Sequence, residues 1–418
     1  MYRLDWVEQL KLRTATPPSA RHVAKTHPTV WKLGFTSMLT DISSEMVNSV
    51  LPAFIVLHLH MSPLQYGAID GIYNGVAVSI LALASGLVAD RLRRHKEVAV
   101  AGYGISAVCK LVLLASGGVW GWITAAVAAD RAGKGIRTAP RDALISLYSA
   151  RESLAGAFAV HRTLDAGGAL LGPLIAFAVI AQLPGAYDAV WVTSFVFALL
   201  GVAVLWLFVQ NPPTPKIAIA AAPSVSKVLR LLSEPRLRRL AGVGALLSVA
   251  TVGDGFLYLL LQQRGGIAPG FFPLFYVITA CFYMLFSIPV GRAADRWGRS
   301  AVLLSGYGMV ALIYILLLSS SNIGLAARIL CLALLGLYYA ATEGVLMAMA
   351  SALVPADLRT TGLAALMTLI GVSKMASSLL FGFLWEVGST TIAVSVFAAG
   401  IAVALPISAY WIRGTHDE

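Results

Sequence analysis

Arg131, Lys134, Arg137 and Arg141 follow one another at steps of three, three and four residues. On a helix that spacing puts all four cations on one face. Immediately upstream runs GVWGWITAAVAA (118–129), apolar but only twelve residues long. Twelve residues rise about 18 Å, short of the ~30 Å of bilayer hydrocarbon. A span extended from Trp120 to Pro140 is long enough, and it carries its charges to membrane depth. A charge at the bilayer centre costs at least ~2.5–3.5 kcal/mol, so the stripe must face protein or a water-filled cavity. Such residues suit anion binding and proton relay. Arg131, half-way along the span, is the firmest candidate, with Lys134 and Arg137 next. Arg141 and Asp142 read as a pair anchored at the headgroups.

Other ionisable residues fall inside apolar stretches. TDISSEMVNS places Asp41 and Glu45 one turn apart on one helix face. The segment HRTLD holds His161, Arg162 and Asp165, and Lys110, Asp254, Glu343 and Lys374 each interrupt a further apolar run. A carboxylate's protonation follows its burial and the charges beside it, which is what proton coupling requires. Asp41 and Glu45 are the favoured proton carriers, Asp254 and Glu343 the next. A static ion pair is the competing reading for each. In the N-terminal half Lys110, Arg131, Lys134, Arg137 and Arg162 outnumber Asp41, Glu45, Asp130 and Asp165 by one. That surplus predicts a substrate with carboxylate or phosphate character. Tyr73, Tyr258, Tyr338 and Tyr339 are available to shape a cavity, although on apolar helices packing is their commoner role.

The elements that position these residues are membrane helices. Charged residues make up 12% of the 418, mean hydropathy is +0.79 and net charge is +11. Soluble domains carry about 25% charged residues, so the composition is that of a polytopic membrane protein. Cys109, Cys281 and Cys331 have no paired spacing and read as small core side chains. Residues 1–30 are a basic tail without the apolar core of a signal peptide. Gly, Pro and polar punctuation cuts the remainder into twelve spans: 31–58, 65–89, 97–117, 120–146, 153–181, 187–210, 239–262, 271–292, 300–320, 325–352, 360–385 and 390–412. With the N-terminus inside, the inner segments hold Arg91, Arg93, Arg94 and Lys96, and Lys227, Arg230, Arg236, Arg238 and Arg239, while the outer ones contain only Arg264. The positive-inside bias therefore predicts cytoplasmic termini and explains the basic balance, leaving no role for nucleic acid.

GLVADRLRRHK (86–96) and GRAADRWGRS (291–300) share Gly-x-x-x-Asp-Arg-x-x-Arg, each after the second span of a six-span half. This duplication predicts an all-α membrane protein of two six-helix bundles, 31–210 and 239–412, joined by a cytoplasmic linker (211–238) and ending in a short cytoplasmic tail (413–418). Parallel repeats of this kind place a substrate site near the midplane between halves that rock about it. On these motifs the chain resembles the major facilitator superfamily over residues 31–412. Gly86, Asp90, Arg91 and Arg94 match the first copy of the family's loop motif, with Arg93 in place of its second Gly. Gly291, Asp295, Arg296, Gly298 and Arg299 match the second copy. The resemblance implies that these loops latch the halves together while the cavity faces outward. Gly168, Gly172 and Pro173 in DAGGALLGPL match the core of a helix-5 motif of the family's exporting antiporters, although Ala176 and Phe177 replace its later glycines. Arg131, followed by Gly135, resembles the helix-4 arginine of the proton-coupled exporters.

These readings converge on a secondary transporter, a proton-coupled exporter of a small organic molecule, drug- or siderophore-like. The alternatives are an importer of an organic anion and a transporter-like sensor without flux. No nucleotide loop, Ser/His/Asp arrangement or metal cluster appears in the sequence, so neither an enzyme nor ATP-driven transport is expected. His58 and His60 form an isolated HLH and predict no metal site. The expectation is no cofactor, a proton gradient as energy source, and a monomer in the bacterial inner membrane whose partners are substrate, protons and lipid.

Overall fold

A computed structural model describes residues 27–74, 77–150, 153–211, 234–319, 323–355 and 359–413. The basic N-terminal tail, most of the linker, the last five residues and the side chain of Asp90 lie outside the described parts. Within them the chain is helical, the form in which a membrane segment satisfies its own backbone polar groups. Twelve spans alternate direction. They are α1 (Pro28–Ala53), α2a and α2b (Pro63–Asn74, Ala77–Leu92), α3 (His95–Ala115), α4 (Trp120–Leu147), α5 (Leu154–Gln182) and α6 (Tyr187–Phe208). The second half comprises α7a and α7b (Pro235–Val249, Asp254–Gly265), α8 (Pro273–Trp297), α9 (Arg299–Ser319), α10 (Leu325–Leu353), α11 (Arg359–Val387) and α12 (Thr390–Arg413).

One span expected to be continuous is broken, the seventh, between α7a and α7b. The seventh breaks at Ala250–Gly253, where tertiary hydrogen bonds replace the helical ladder. Tyr314 Oη accepts from Val252 N (2.9 Å) and donates to the Ala250 carbonyl (3.2 Å), and Ser377 Oγ donates to the Thr251 carbonyl (2.6 Å). Among the described residues nine spans are long and apolar enough to cross a bilayer. The three that fall short are α1, α2 and α4, of which α1 is polar and α4 charged in its middle. All three contribute residues to the site described below.

Within the first half α1 packs along α5 and α6, and α4 lies between α3 and α2b. In the second, α10 packs on α8 and α9, and α7a on α11 and α12. The halves meet chiefly through α2a with α11 and α5 with α8. The contacting atoms lie at the end of the bundle opposite the chain termini. There Gly67 and Gly71 face the α11 backbone at Ser378 and Met375, and Gly382 faces Pro63 and Leu64. Phe177 packs tilted against Phe271 with ring centroids 5.6 Å apart, and Leu64 N donates to Glu386 (3.2 Å). Toward the termini the facing surfaces open: Arg162, Thr163 and Ala166 on α5 and Glu343 on α10 are exposed. The bundle is thus closed at one end and open at the end carrying both termini.

Candidate functional site

The charged stripe is on α4 as expected, and a close crossing with α3 builds its surroundings. A Cβ on Gly102 would meet the Gly133 carbonyl and Arg137 N at 2.7 Å, so only glycine admits this approach. The crossing brings Lys110, Ser106 and Tyr103 of α3 against the α4 charges. Asp130 takes Lys110 Nζ on one oxygen (2.5 Å) and Arg131 Nη2 on the other (2.6 Å). The Arg131 guanidinium lies 3.8 Å from the centroid of the Tyr73 ring on α2a. Arg137 donates to Ser106 Oγ (2.8 Å), stacks over Tyr103 (4.7 Å) and stands 3.6 Å from Asp41 on α1.

Small residues on α5 position the acids of α1. A Cβ on Gly168 would press on the Met38 carbonyl and on Asp41 Cβ (3.1 Å), and one on Gly172 on the Ile42 carbonyl (2.8 Å) and Glu45 Cβ (2.9 Å). The helix-5 glycines therefore serve this chain by letting α5 approach α1 at its two acids. Asp165 faces Asp41 across that contact. Glu45 accepts from Asn48 Nδ2 (3.0 Å). The half-buried Lys134 has Asp41, Glu45, Arg131 and Arg137 as charged neighbours.

Three residues differ from expectation. Arg141 is not a headgroup anchor: its side chain is 11% exposed and donates to Ser37 Oγ on α1 (3.0 Å) as well as to Asp142. Arg162 is exposed, about five turns below Ile180 on the α5 face that meets the second half at Gly270. It borders the open cleft instead of joining the cluster. With Arg162 outside, Lys110, Arg131, Lys134 and Arg137 stand against Asp41, Glu45, Asp130 and Asp165 in equal number, and Arg141 brings its own partner in Asp142. The surplus cation that pointed to an anionic substrate is gone among the described residues. Cys281, expected in the core, is exposed, whereas Cys109 and Cys331 are buried.

A cavity of about 130 Å³ lies between the halves at the α7 break. Asn48 of α1, Asp70 and Tyr73 of α2a, residues 251–255 of the break, Tyr276 of α8, Tyr338 and Tyr339 of α10, and Lys374 and Ser378 of α11 line it. Tyr339 Oη donates to Asp254 (2.5 Å), and Lys374 has Asp254, Asp70 and Glu343 as charged neighbours. The C-terminal candidates Asp254, Glu343 and Lys374 are thus brought together. Tyr258 is buried against Phe272, Phe275 and Tyr276 instead. Asp70 was missed from the sequence. Its carboxylate accepts from Ser378 Oγ (2.5 Å) and Tyr66 Oη (3.4 Å), and it abuts Gly253 at the start of α7b. A lone acid inside the apolar run GAIDGIY was the signal that marked it.

The repeated loops differ from each other in one respect and agree in another. Gly298 has φ +96° and Arg93, at the matching position, has φ +54°, so Arg93 adopts the conformation the motif's glycine supplies. Arg91, Arg93 and Arg94 are exposed, and Asp295 faces Arg299 of its own loop at 3.6 Å. A Cβ on Gly86 would meet the Ala139 side chain of α4 at 3.1 Å. The halves are apart at this end, whereas the latch the resemblance implied belongs to the conformation whose cavity faces outward.

Two six-helix bundles around a polar cavity, with buried charges on helices 1, 4 and 5 and a broken helix 7, define a polytopic membrane protein of transporter architecture. The sequence profile of the Major Facilitator Superfamily matches residues 33–377, and the chain belongs to that family. It is 31% identical over 370 residues to an uncharacterised MFS-type transporter of Methanocaldococcus jannaschii, spanning 86% of this chain and 88% of that one. An uncharacterised protein of Mycobacterium tuberculosis is 25% identical over 371 residues, 87% of this chain and 88% of its own. Among solved structures, the nucleoside transporter NupG superposes with a TM-score of 0.78 at 14% identity, covering 92% of this chain and 99% of that one. A POT family transporter in complex with 5-aminolevulinic acid gives 0.75 at 13%, covering 93% and 96%.

Proposed function

We propose that this chain is a secondary active transporter that exports a small organic molecule in exchange for protons by alternating access. The observation that carries the reading is the physical link between the charged cluster and the cavity. Tyr73 lines the cavity and bears the Arg131 guanidinium on its ring, while Asn48 lines the cavity and holds Glu45. A ligand entering the cavity therefore touches the residues that orient Arg131 and Glu45. Protonation of Asp41 would free Arg137, whose separation from Asp41 is 3.6 Å, to rely on Ser106 and Tyr103. Because Asp41 and Asp165 face each other across the α1–α5 contact, a proton shared or lost there changes the force between two helices. Proton occupancy and helix position are then linked, which is the coupling alternating access needs.

The basic inner segments support a reading in which the open end faces the cytoplasm, the chain sits in a bacterial inner membrane and substrate enters from inside. The proton gradient supplies the energy without a cofactor, and each chain works as a monomer. The test compares metabolites and drugs accumulated by cells with and without the chain, then measures flux of the identified compound in inside-out and right-side-out vesicles under an imposed pH gradient. Export predicts uptake into inside-out vesicles that is driven by an acidic lumen and lost in Asp41→Asn. Flux indifferent to the pH gradient removes proton coupling, and uptake only in right-side-out vesicles makes the chain an importer.

A further inference from the structure

We propose that the cavity at the α7 break takes the ammonium group of a small organic cation, held between tyrosine ring faces and the carboxylates of Asp254 and Asp70. This inference rests on the transporter reading above and names its substrate class.

The first observation is the sign of the cavity's charge. Asp70 and Asp254 line it and Glu343 stands beside it, against a single lining cation, Lys374. The positive end of α7b adds about half a charge beside Asp254 at its first turn, which leaves the site negative. An anion placed here would have one attractive partner and three repulsive ones. The second observation is independent of charge. Four tyrosines, Tyr73, Tyr276, Tyr338 and Tyr339, line one small space. The faces of such rings attract cations. One of them already does so, since Tyr73 carries the Arg131 guanidinium at 3.8 Å. The third is unused hydrogen-bonding capacity. Asp254 accepts from Tyr339 on Oδ1, and a carboxylate has further lone pairs for an N–H donor. A cavity of about 130 Å³ fits a head group, with the body of the molecule extending into the open cleft. Lys374, on a flexible stem, is the counter-ion that an entering ammonium displaces.

The full-length protein in lipid nanodiscs is titrated with phenethylamine and with 3-phenylpropionate, which share a body and differ in the sign of the head. A charge-assisted hydrogen bond of about 1.5–3 kcal/mol corresponds to roughly ten- to hundredfold in affinity. The amine is expected to bind at least about tenfold more tightly than the carboxylate, and Asp254→Asn to weaken it by a similar factor. Lys374→Gln is expected to strengthen amine binding, the opposite of its effect on an anion site, and this variant serves if Asp254→Asn does not fold. Preference for the carboxylate, equal binding of both probes, binding of neither, or weaker amine binding in Lys374→Gln overturns the proposal. Flux of both probes in proteoliposomes separates the two readings. Selective amine binding without flux of any compound keeps the site and removes the transporter. Flux of another compound with no amine preference does the reverse.

Discussion

Replacing Asp130 by Asn should be among the most damaging single changes in this protein. Asp130 is 8% exposed and lies between Lys110, 2% exposed, and Arg131, 4% exposed. It accepts a charge-assisted hydrogen bond from each, at 2.5 and 2.6 Å. Two such bonds at about 1.5–3 kcal/mol each give roughly 3–6 kcal/mol. Removing one member of a buried ion pair independently costs about 3–5 kcal/mol, because the partner's charge stays buried. We therefore expect a loss of about 4 kcal/mol. The two cations are not equally exposed to the damage. Arg131 keeps the Tyr73 ring, whereas the buried ammonium of Lys110 is left with an amide. Lys110→Met should then recover about half of the loss when combined with Asp130→Asn, although alone it leaves Asp130 only Arg131. Unfolding of the purified protein in mixed micelles, followed by tryptophan fluorescence, measures all four members of this cycle. A loss under about 1 kcal/mol for Asp130→Asn, or a double variant no more stable than the single one, would refute the reasoning.

Three further outcomes follow from the packing. Gly168→Leu should abolish transport and lower stability by at least ~2 kcal/mol through overpacking against α1, whereas Gly167→Leu, whose Cβ meets nothing within 4 Å, should be tolerated in the same unfolding assay. Arg93→Gly should stabilise the protein by about 1 kcal/mol, since its φ of +54° is costly for a side chain and free for glycine; no gain in thermal stability would contradict the strain. Asp70→Ala combined with Ser378→Ala removes the buried bond joining α2a to α11 at the closed end. Spin labels on Ala181 and Gly270 should then report a longer distance distribution than in the parent, and an unchanged distribution would show that apolar contacts alone keep that end shut.

Of the helices that carry the candidate site, α1 and α4 were legible as ones that break the membrane pattern. The length of the apolar run before Asp130 forced the charges of α4 into the span, and the spacing of Asp41 and Glu45 put them on one face. Both are local properties of sequence, and α4 runs Trp120–Leu147 against an expected 120–146. The break in α7 was not legible, because its backbone is satisfied by Tyr314 and Ser377, residues far along the chain.

By itself, then, the sequence determined that the chain is a twelve-span membrane protein built as two related halves, and that it carries ionisable groups it could not leave facing lipid. Hydrophobic length, helical period and repeated motif act within a turn or a span, so no tertiary knowledge is needed to read them. Only the tertiary structure decided which charges meet. Asp130 takes both Lys110 and Arg131, Arg141 turns inward to Ser37, Arg162 stands in the cleft, and Asp70 closes the far end against Ser378. Those outcomes depend on glycine-allowed approaches between helices distant in sequence, at Gly102 with Gly133 and at Gly168 with Asp41. A shift of one helical position at either crossing would pair the same residues differently, and no local pattern encodes that register.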